Sequence, residues 1–273
     1  MKDSREEWYD AERRVAVTIV DVTSAAQSLA RGHLSGPTAT HYLAEYLAAA
    51  ALLGAETSEK DETLILQMKC SGPLGGLNVE CTSDGKLRGY TEKKLLDDFD
   101  GLGKPKDSAV LGKTSLQVTR SVPGRILSQG ISTSLDGYLV GSLQRKACIR
   151  TEVAVSDEVE VLEARGVMVE ILPDSQFGSL GSAGSEEVKD PLLPLLDTKD
   201  PIRLSVASRN ILKQLGLENA EFRKSTPLAF ACRCSPERAV TMLSALSEEE
   251  RKSLPPTIDI TCHMCGRTFT VKV

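Results

Sequence analysis

Four of the chain's seven cysteines fall within its last forty-two residues, as two tight pairs. Cys232-Arg233-Cys234 is the first. In extended backbone, residues two apart point the same way, so both sulfurs can face one ion. Cys262-His263-Met264-Cys265-Gly266 is the second. A Cys-x-x-Cys turn followed by glycine is a metal knuckle, the glycine letting the chain fold back under the sulfur. Gathered together, the two thiolate pairs make the tetrahedral four-sulfur shell that zinc favours. The predicted ligands are Cys232, Cys234, Cys262 and Cys265, with one Zn2+ per chain. His263, wedged between two of them, reads as a solvent-facing knuckle residue. Cys70, Cys81 and Cys148 are scattered, and plain burial suits them, since cysteine packs as a small apolar side chain.

The twenty-seven residues between the pairs read as helical. Ser235 is a good N-cap, Pro236 suits the first helical position, and Glu237 favours the positive helix end. Ala239, Val240, Leu243 and Leu246 supply an apolar face, and Ser247 with Glu250 forms a second capping box. Ile258 and Ile260 alternate before the knuckle and Phe269, Val271 and Val273 after it, which predicts a hairpin. From Cys232 onward there are too few residues to hold a good core without metal. A structural zinc site contributes about 10–16 kcal/mol of apparent binding free energy to folding, so loss of the ion predicts loss of the module. Thiolates are also oxidisable, and each close pair has its partner at hand. The spacing alone does not show that this chemistry is used.

Upstream, Arg13–Asp21 alternates and reads as a strand. Ala25, Leu29 and Leu34 suggest a short helix. Pro37 opens a second helix, with Leu43, Tyr46, Leu47 and Ala50 on its buried face and Gly54 ending it. Thr63–Lys69, Leu77–Cys81 and Lys86–Thr91 form a three-strand meander through Ser71-Gly72-Pro73 and Asp84-Gly85, both turn positions of the latter tolerating positive φ. Leu116–Thr119 pairs with Ile126–Ser132 around Pro123-Gly124. A helix over 134–147 and strands at Glu152–Ser156 and Val167–Leu172 follow. Without regular βα alternation this is an α+β, mixed-sheet core. Gly178–Gly184 is the clearest linker, and Leu204–Leu215 reads as a helix stopped by Gly216. The expected division is a core domain at 1–178, a linker region with helices at 179–231, and a small zinc domain at 232–273.

A 41% hydrophobic content leaves ample material for a core, and aromatics at only 4% mean that aliphatic side chains must build it. The net charge of -5 argues against a general nucleic-acid binder. Met1–Glu12 is charged and is expected not to be a signal peptide, and no segment is long and apolar enough to span a bilayer. Those readings predict a cytoplasmic protein, where thiols stay reduced.

The pattern Cys232-x-Cys234, twenty-seven residues, then Cys262-x-x-Cys265 resembles the signature of the heat-shock protein 33 family of redox-regulated holdase chaperones. The flanking text, Phe230-Ala-Cys-Arg-Cys-Ser-Pro-Glu-Arg238 and Ile258-Asp-Ile-Thr-Cys-His-Met-Cys-Gly266, agrees. So do Gly72-Pro73-Leu74-Gly75-Gly76-Leu77 and Leu87-Arg88-Gly89-Tyr90 in the core. The resemblance implies a reduced, zinc-bound, inactive state. It also implies that oxidation joins Cys232 to Cys234 and Cys262 to Cys265 and expels zinc. The C-terminal region and the adjacent linker then unfold, dimers form, and unfolded client proteins are held without ATP under stress. Family members often continue beyond the eight residues that follow Cys265 here, which puts any role of a C-terminal tail in doubt.

Two rival readings share the cysteines. A thiol-disulfide oxidoreductase would open a helix with its Cys-x-x-Cys, whereas this one sits in a hairpin. A zinc-ribbon nucleic-acid module would use Arg233, Arg238, Arg251, Lys252, Arg267 and Lys272 on phosphates; the favoured reading is that they solvate the surface and offset thiolate charge. Gly112-Lys113-Thr114 ends like a P-loop, but Asp107 stands where its first glycine belongs. His33 and His41 read as ordinary helix-end residues. No enzyme site is expected.

Overall fold

The computed structural model describes residues 2–103, 106–173, 191–197 and 199–272. The expected Gly178–Gly184 linker lies outside them, as does Val273. Strands β1 (Ser4–Asp10) and β2 (Val15–Asp21) lead into helices α1 (Thr23–His33) and α2 (Pro37–Leu53). Then come the meander β3 (Thr63–Cys70), β4 (Gly76–Thr82) and β5 (Lys86–Thr91), a short α3 (Asp107–Val110), and the hairpin of β6 (Thr114–Val122) and β7 (Arg125–Ser132). A single turn, α4 (Leu135–Gly137), runs into one π turn at Tyr138–Ser142, and β8 (Lys146–Val155) pairs with β9 (Val161–Ile171). Helices α5 (Leu193–Leu196) and α6 (Ser208–Gln214) and strands β10 (Glu221–Pro227) and β11 (Ala229–Phe230) follow. Last are α7 (Pro236–Ser244), α8 (Glu248–Lys252), β12 (Thr257–Thr261) and β13 (Thr268–Lys272).

One sheet has the order β10-β1-β2-β9-β8 and the other β11-β5-β4-β3-β6-β7. Neighbours are antiparallel except β11, which runs parallel to β5. Helix α2 lies between the two sheets, packing on β2, β8 and β9 of the first and on β3, β4 and β5 of the second. It is therefore buried on nearly every side, with 14 of its 17 residues inaccessible, rather than along one stripe. The run Ala48–Ala51 keeps it thin enough for both sheets to close on it. Leu43, Leu47, Leu52 and Leu53 are fully buried in that layer, at about 2 kcal/mol each. At its start Pro37 takes the first position, and the Asp100 carboxylate accepts from the Thr38 amide at 2.9 Å.

The alternation in β2 is used on both faces. Val20 joins the central layer, while Val15, Val17 and Ile19 face Leu204, Ile211, Leu212, Leu215 and Leu217 on the outer side. The apolar segment after the proline-rich stretch thus covers the first sheet.

The α+β architecture with mixed sheets agrees with the sequence reading, and several elements differ from it. The helix expected over 134–147 is confined to α4 and the π turn, because Lys146–Val155 is recruited as a strand by β9. Gly137 and Gly141, at about 1 kcal/mol each, weaken the helical alternative. Leu34 is 80% exposed, not on a buried face; it ends α1 in the left-handed region at φ 54°. Tyr46 is only partly buried. The 204–215 helix begins at Ser208. At the β4–β5 turn only Gly85 has positive φ, and Asp84 does not. Strands β1, β10 and β11 were not anticipated.

Candidate metal centre

The C-terminal module is assembled from its caps inward. Ser235 Oγ accepts from the Arg238 amide at 3.3 Å to start α7. Ser247 and Glu250 form a reciprocal capping box at α8, with the Ser247 amide 2.8 Å from the Glu250 carboxylate. Strands β12 and β13 pair Ile258 with Val271 and Ile260 with Phe269. Among the described residues, the buried apolar cluster of the module is Ala239, Leu243 and Val271, with Leu246, Leu254, Ile258, Ile260 and Phe269 partly buried around it. So small a core cannot offset the chain entropy of about forty ordered residues.

The knuckle closes as expected. The Gly266 amide reaches the Cys262 carbonyl at 2.9 Å, and Gly266 adopts φ 72°, a conformation open to glycine. Cys232 and Cys234 are not in a strand. β11 ends at Phe230, and an irregular stretch carries the two thiols inward. All four sulfurs nevertheless lie within 4.8 Å of one another. Cys232 and Cys262 sulfurs are 3.7 Å apart, and those of Cys234 and Cys265 are 3.5 Å apart. Tetrahedral zinc with Zn–S near 2.3 Å spaces its sulfurs by about 3.8 Å, so the cage fits that ion. All seven cysteines are free thiols.

Electrostatics argues for a cation in the cage. Burial opposes a thiolate at Cys232, but the Cys234 amide, the Cys234 and Cys265 thiols and the Arg88 guanidinium outweigh it and bring Cys232 down to about 7. Burial, joined by the neighbouring sulfurs, pushes Cys234 up, and burial also raises Cys265 against the lowering effect of the Arg267 amide and the Cys234 thiol. A cation placed among the four sulfurs would favour their ionised forms.

The module is seated on the core. Strand β11 runs beside β5, the Ala231 amide reaching the Leu87 carbonyl at 3.0 Å, and so delivers Cys232 next to Arg88. The Gly89 amide donates to the Met264 carbonyl at 3.2 Å, while His33 Nε2 donates to the Gly89 carbonyl at 2.8 Å. Tyr90 meets His263 edge to face at 5.5 Å. A Cβ on Gly32 would stand 2.5 Å from the Cys265 carbonyl oxygen, and one on Gly266 would overlap the Gly32 carbonyl. Two glycines thus let helix α1 and the knuckle touch backbone to backbone.

Of the other singled-out residues, Cys81 and Cys148 are buried, whereas Cys70 is only partly so. Gly112-Lys113-Thr114 is the loop entering β6, with Gly112 at φ 61°. His263 is exposed. His41 lies in the first part of α2, 3.9 Å from Glu45. His33 is more than a helix-end residue, being buried and bonded to β5 beneath the knuckle; burial holds it below its ordinary pKa. Nothing in the local spacing of Gly32, Glu80 and Arg88 announces partners more than 140 residues away. Arg88 does stand within the Leu87-Arg88-Gly89-Tyr90 string.

An α+β core carrying a C-terminal cluster of four cysteines that could hold one metal ion defines the class. The chain belongs to the Hsp33 protein family, whose model matches residues 6–272. It is 30% identical to a 33 kDa chaperonin of Thermus thermophilus, over 93% of this chain and 79% of that one. It is also 30% identical to a 33 kDa chaperonin of Symbiobacterium thermophilum, over 90% and 86%. The crystal structure of a heat shock protein 33 homolog from Thermotoga maritima superposes with a TM-score of 0.85 at 19% identity, covering 100% of this chain and 95% of that one. That likeness shows a shared fold. By family the protein is a chaperone, and chaperonins are not an enzyme class. Among the described residues no helix is long and apolar enough to cross a membrane.

Proposed function

We propose that this chaperone is a redox-regulated, ATP-independent holdase of the cytoplasm, switched by Cys232, Cys234, Cys262 and Cys265. The observation that carries the reading is the convergence of four cysteine sulfurs within 4.8 Å in a module whose described residues bury three apolar side chains besides Cys265. Bound zinc supplies a tetrahedral cross-link between the two halves of the module and about 10–16 kcal/mol toward its folding. In the reduced chain the four thiolates hold that cross-link and the knuckle rests on α1 and β5. On oxidation, Cys232 pairs with Cys234 and Cys262 with Cys265. Each pair gives two electrons to one hydrogen peroxide; two thiolates and two protons yield a disulfide and two waters. The sulfurs then no longer supply ligand charge, and the module loses the interaction that offsets its entropy. The division into a core (1–178), a linker region (179–231) and a switch domain (232–273) belongs to this reading. Unfolded client proteins are its partners, and the oxidised form is a homodimer.

Two features weigh against the rivals. The Cys-x-x-Cys stands in the turn of the β12–β13 hairpin and does not itself open a helix, as the motif of a thiol-disulfide oxidoreductase would. Arg233 and Lys252, needed for a phosphate-binding face, lie 3.3 Å from Glu80 and 3.6 Å from Glu248. The test follows zinc release and suppression of client aggregation together during peroxide treatment. Both should rise in step and reverse on reduction with zinc present. Equal suppression before and after oxidation refutes the switch.

A further inference from the structure

Among the described contacts, the core side chain that reaches a sulfur of the cysteine cage is that of Arg88. Glu80 on β4 and Arg88 on β5 are directly opposed across the ladder. The Arg88 Nε and one terminal nitrogen donate to the same Glu80 oxygen at 2.7 and 2.6 Å. Both side chains are largely shielded from water, at 17% and 11% exposure. That two-point hold fixes the plane of the guanidinium and leaves Nη1 facing Cys232 Sγ at 4.0 Å. Arg233 also reaches Glu80, at 3.3 Å, but is half exposed; among the described contacts its guanidinium is not paired with a sulfur.

We propose that Arg88 is an outer-sphere partner of the metal centre, its N–H and charge stabilising the Cys232 thiolate, with Glu80 as the positioning residue. The inference rests on the four-cysteine zinc reading and adds a core residue to it. A tetrathiolate around a divalent cation carries net negative charge, and a fixed guanidinium at one corner offsets part of it. A hydrogen bond into a sulfur also draws electron density from its lone pairs. Arg88 therefore slows both dissociation of the metal and attack of an oxidant on Cys232. This makes β5 part of the sensor, since Arg88 touches the first cysteine pair and Gly89 the second knuckle.

The test uses the full chain, reduced and zinc-loaded, comparing R88M, R88K, E80Q and R233M. Zinc transfer to a colorimetric chelator is timed with and without peroxide. Outer partners of metal ligands typically change affinity by about 10–100-fold, so R88M should release zinc at least about tenfold faster in both conditions. R88K and E80Q should fall between it and the parent, and R233M should match the parent. With cobalt in place of zinc, the sulfur-to-metal charge-transfer band should move to longer wavelength in R88M and stay fixed in R233M. That readout does not respond to mere loosening of the module. Equal release by R88M and the parent, or the same change in R233M as in R88M, overturns the assignment while leaving the zinc site standing. A parent chain that retains no zinc overturns the zinc reading itself.

Discussion

Replacing Gly32 by alanine acts on the core and on the seating of the module with opposite signs. Gly32 lies in the last turn of α1, where alanine favours the helix by up to about 1 kcal/mol. The same methyl would stand 2.5 Å from the Cys265 carbonyl oxygen, against 3.4 Å or more for ordinary contact. The knuckle must therefore retreat by roughly 0.9 Å, and its neighbour Gly266 is itself held against Gly32 with no side chain to yield. A shift of that size stretches the Gly89–Met264 hydrogen bond, already 3.2 Å, beyond useful length. Overpacking of this kind costs about 1–3 kcal/mol, or about 5- to 150-fold in the docking equilibrium. Native-state hydrogen exchange by NMR reads it directly. The Gly89 amide should lose about 5- to 150-fold of its protection, whereas amides of α2 and β3 keep theirs and the thermal midpoint of the core holds or rises. Unchanged protection at Gly89 would show that the module does not rest on α1. A uniform loss across α2 and β3 would show that the two bodies are not separable in energy.

Leu243→Ala removes one of three buried apolar side chains in the module and should weaken it by about 2–3 kcal/mol. That is less than the roughly 10–16 kcal/mol that a bound zinc would contribute on the proposed reading, so zinc content by chelator assay should be unchanged while limited proteolysis within 232–272 accelerates; a zinc-free variant beside a zinc-loaded parent would contradict this ordering. In the core, burial opposes charge on Glu62, but Arg120 and the Glu59 and Ser58 amides outweigh it and hold its carboxyl below the ordinary range. A lowered folded pKa means that its stabilisation is complete above the ordinary carboxylate value and drains away as pH falls through the folded one. Glu62→Gln should cost about 2 kcal/mol at neutral pH and flatten the acid limb of urea stability as pH falls below the ordinary carboxylate value. An acid limb as steep as the parent's would assign it to other carboxylates.

Local chemistry was readable from the sequence wherever it is set by neighbours along the chain. Pro37, the Ser235 and Ser247 caps, the Gly85 turn and the Cys-x-x-Cys-Gly knuckle all act within four or five residues, and the structure places each of them there. The four cysteines were legible for the same reason, since only two pairs are spaced to share an ion. Elements whose partners are remote were not. Strand β1 lies in the charged segment Met1–Glu12, which shows no strand pattern, yet it is an interior strand between β2 and β10, and its Arg5 is buried and donates to the Ala51 carbonyl at 3.1 Å. Residues 134–147 hold enough apolar side chains for a helix, and pairing with β9 decides their last two as strand.

Sequence alone marks four sulfurs that could share one ion and a surrounding module with few apolar side chains of its own. Tertiary structure decided which backbone supports that module and which charge faces which sulfur. Side-chain spacing carries no record of a contact between residue 88 and residue 232. That contact exists because two strands distant in sequence hydrogen-bond side by side, and hydrogen bonds between strands depend on where the whole chain has folded.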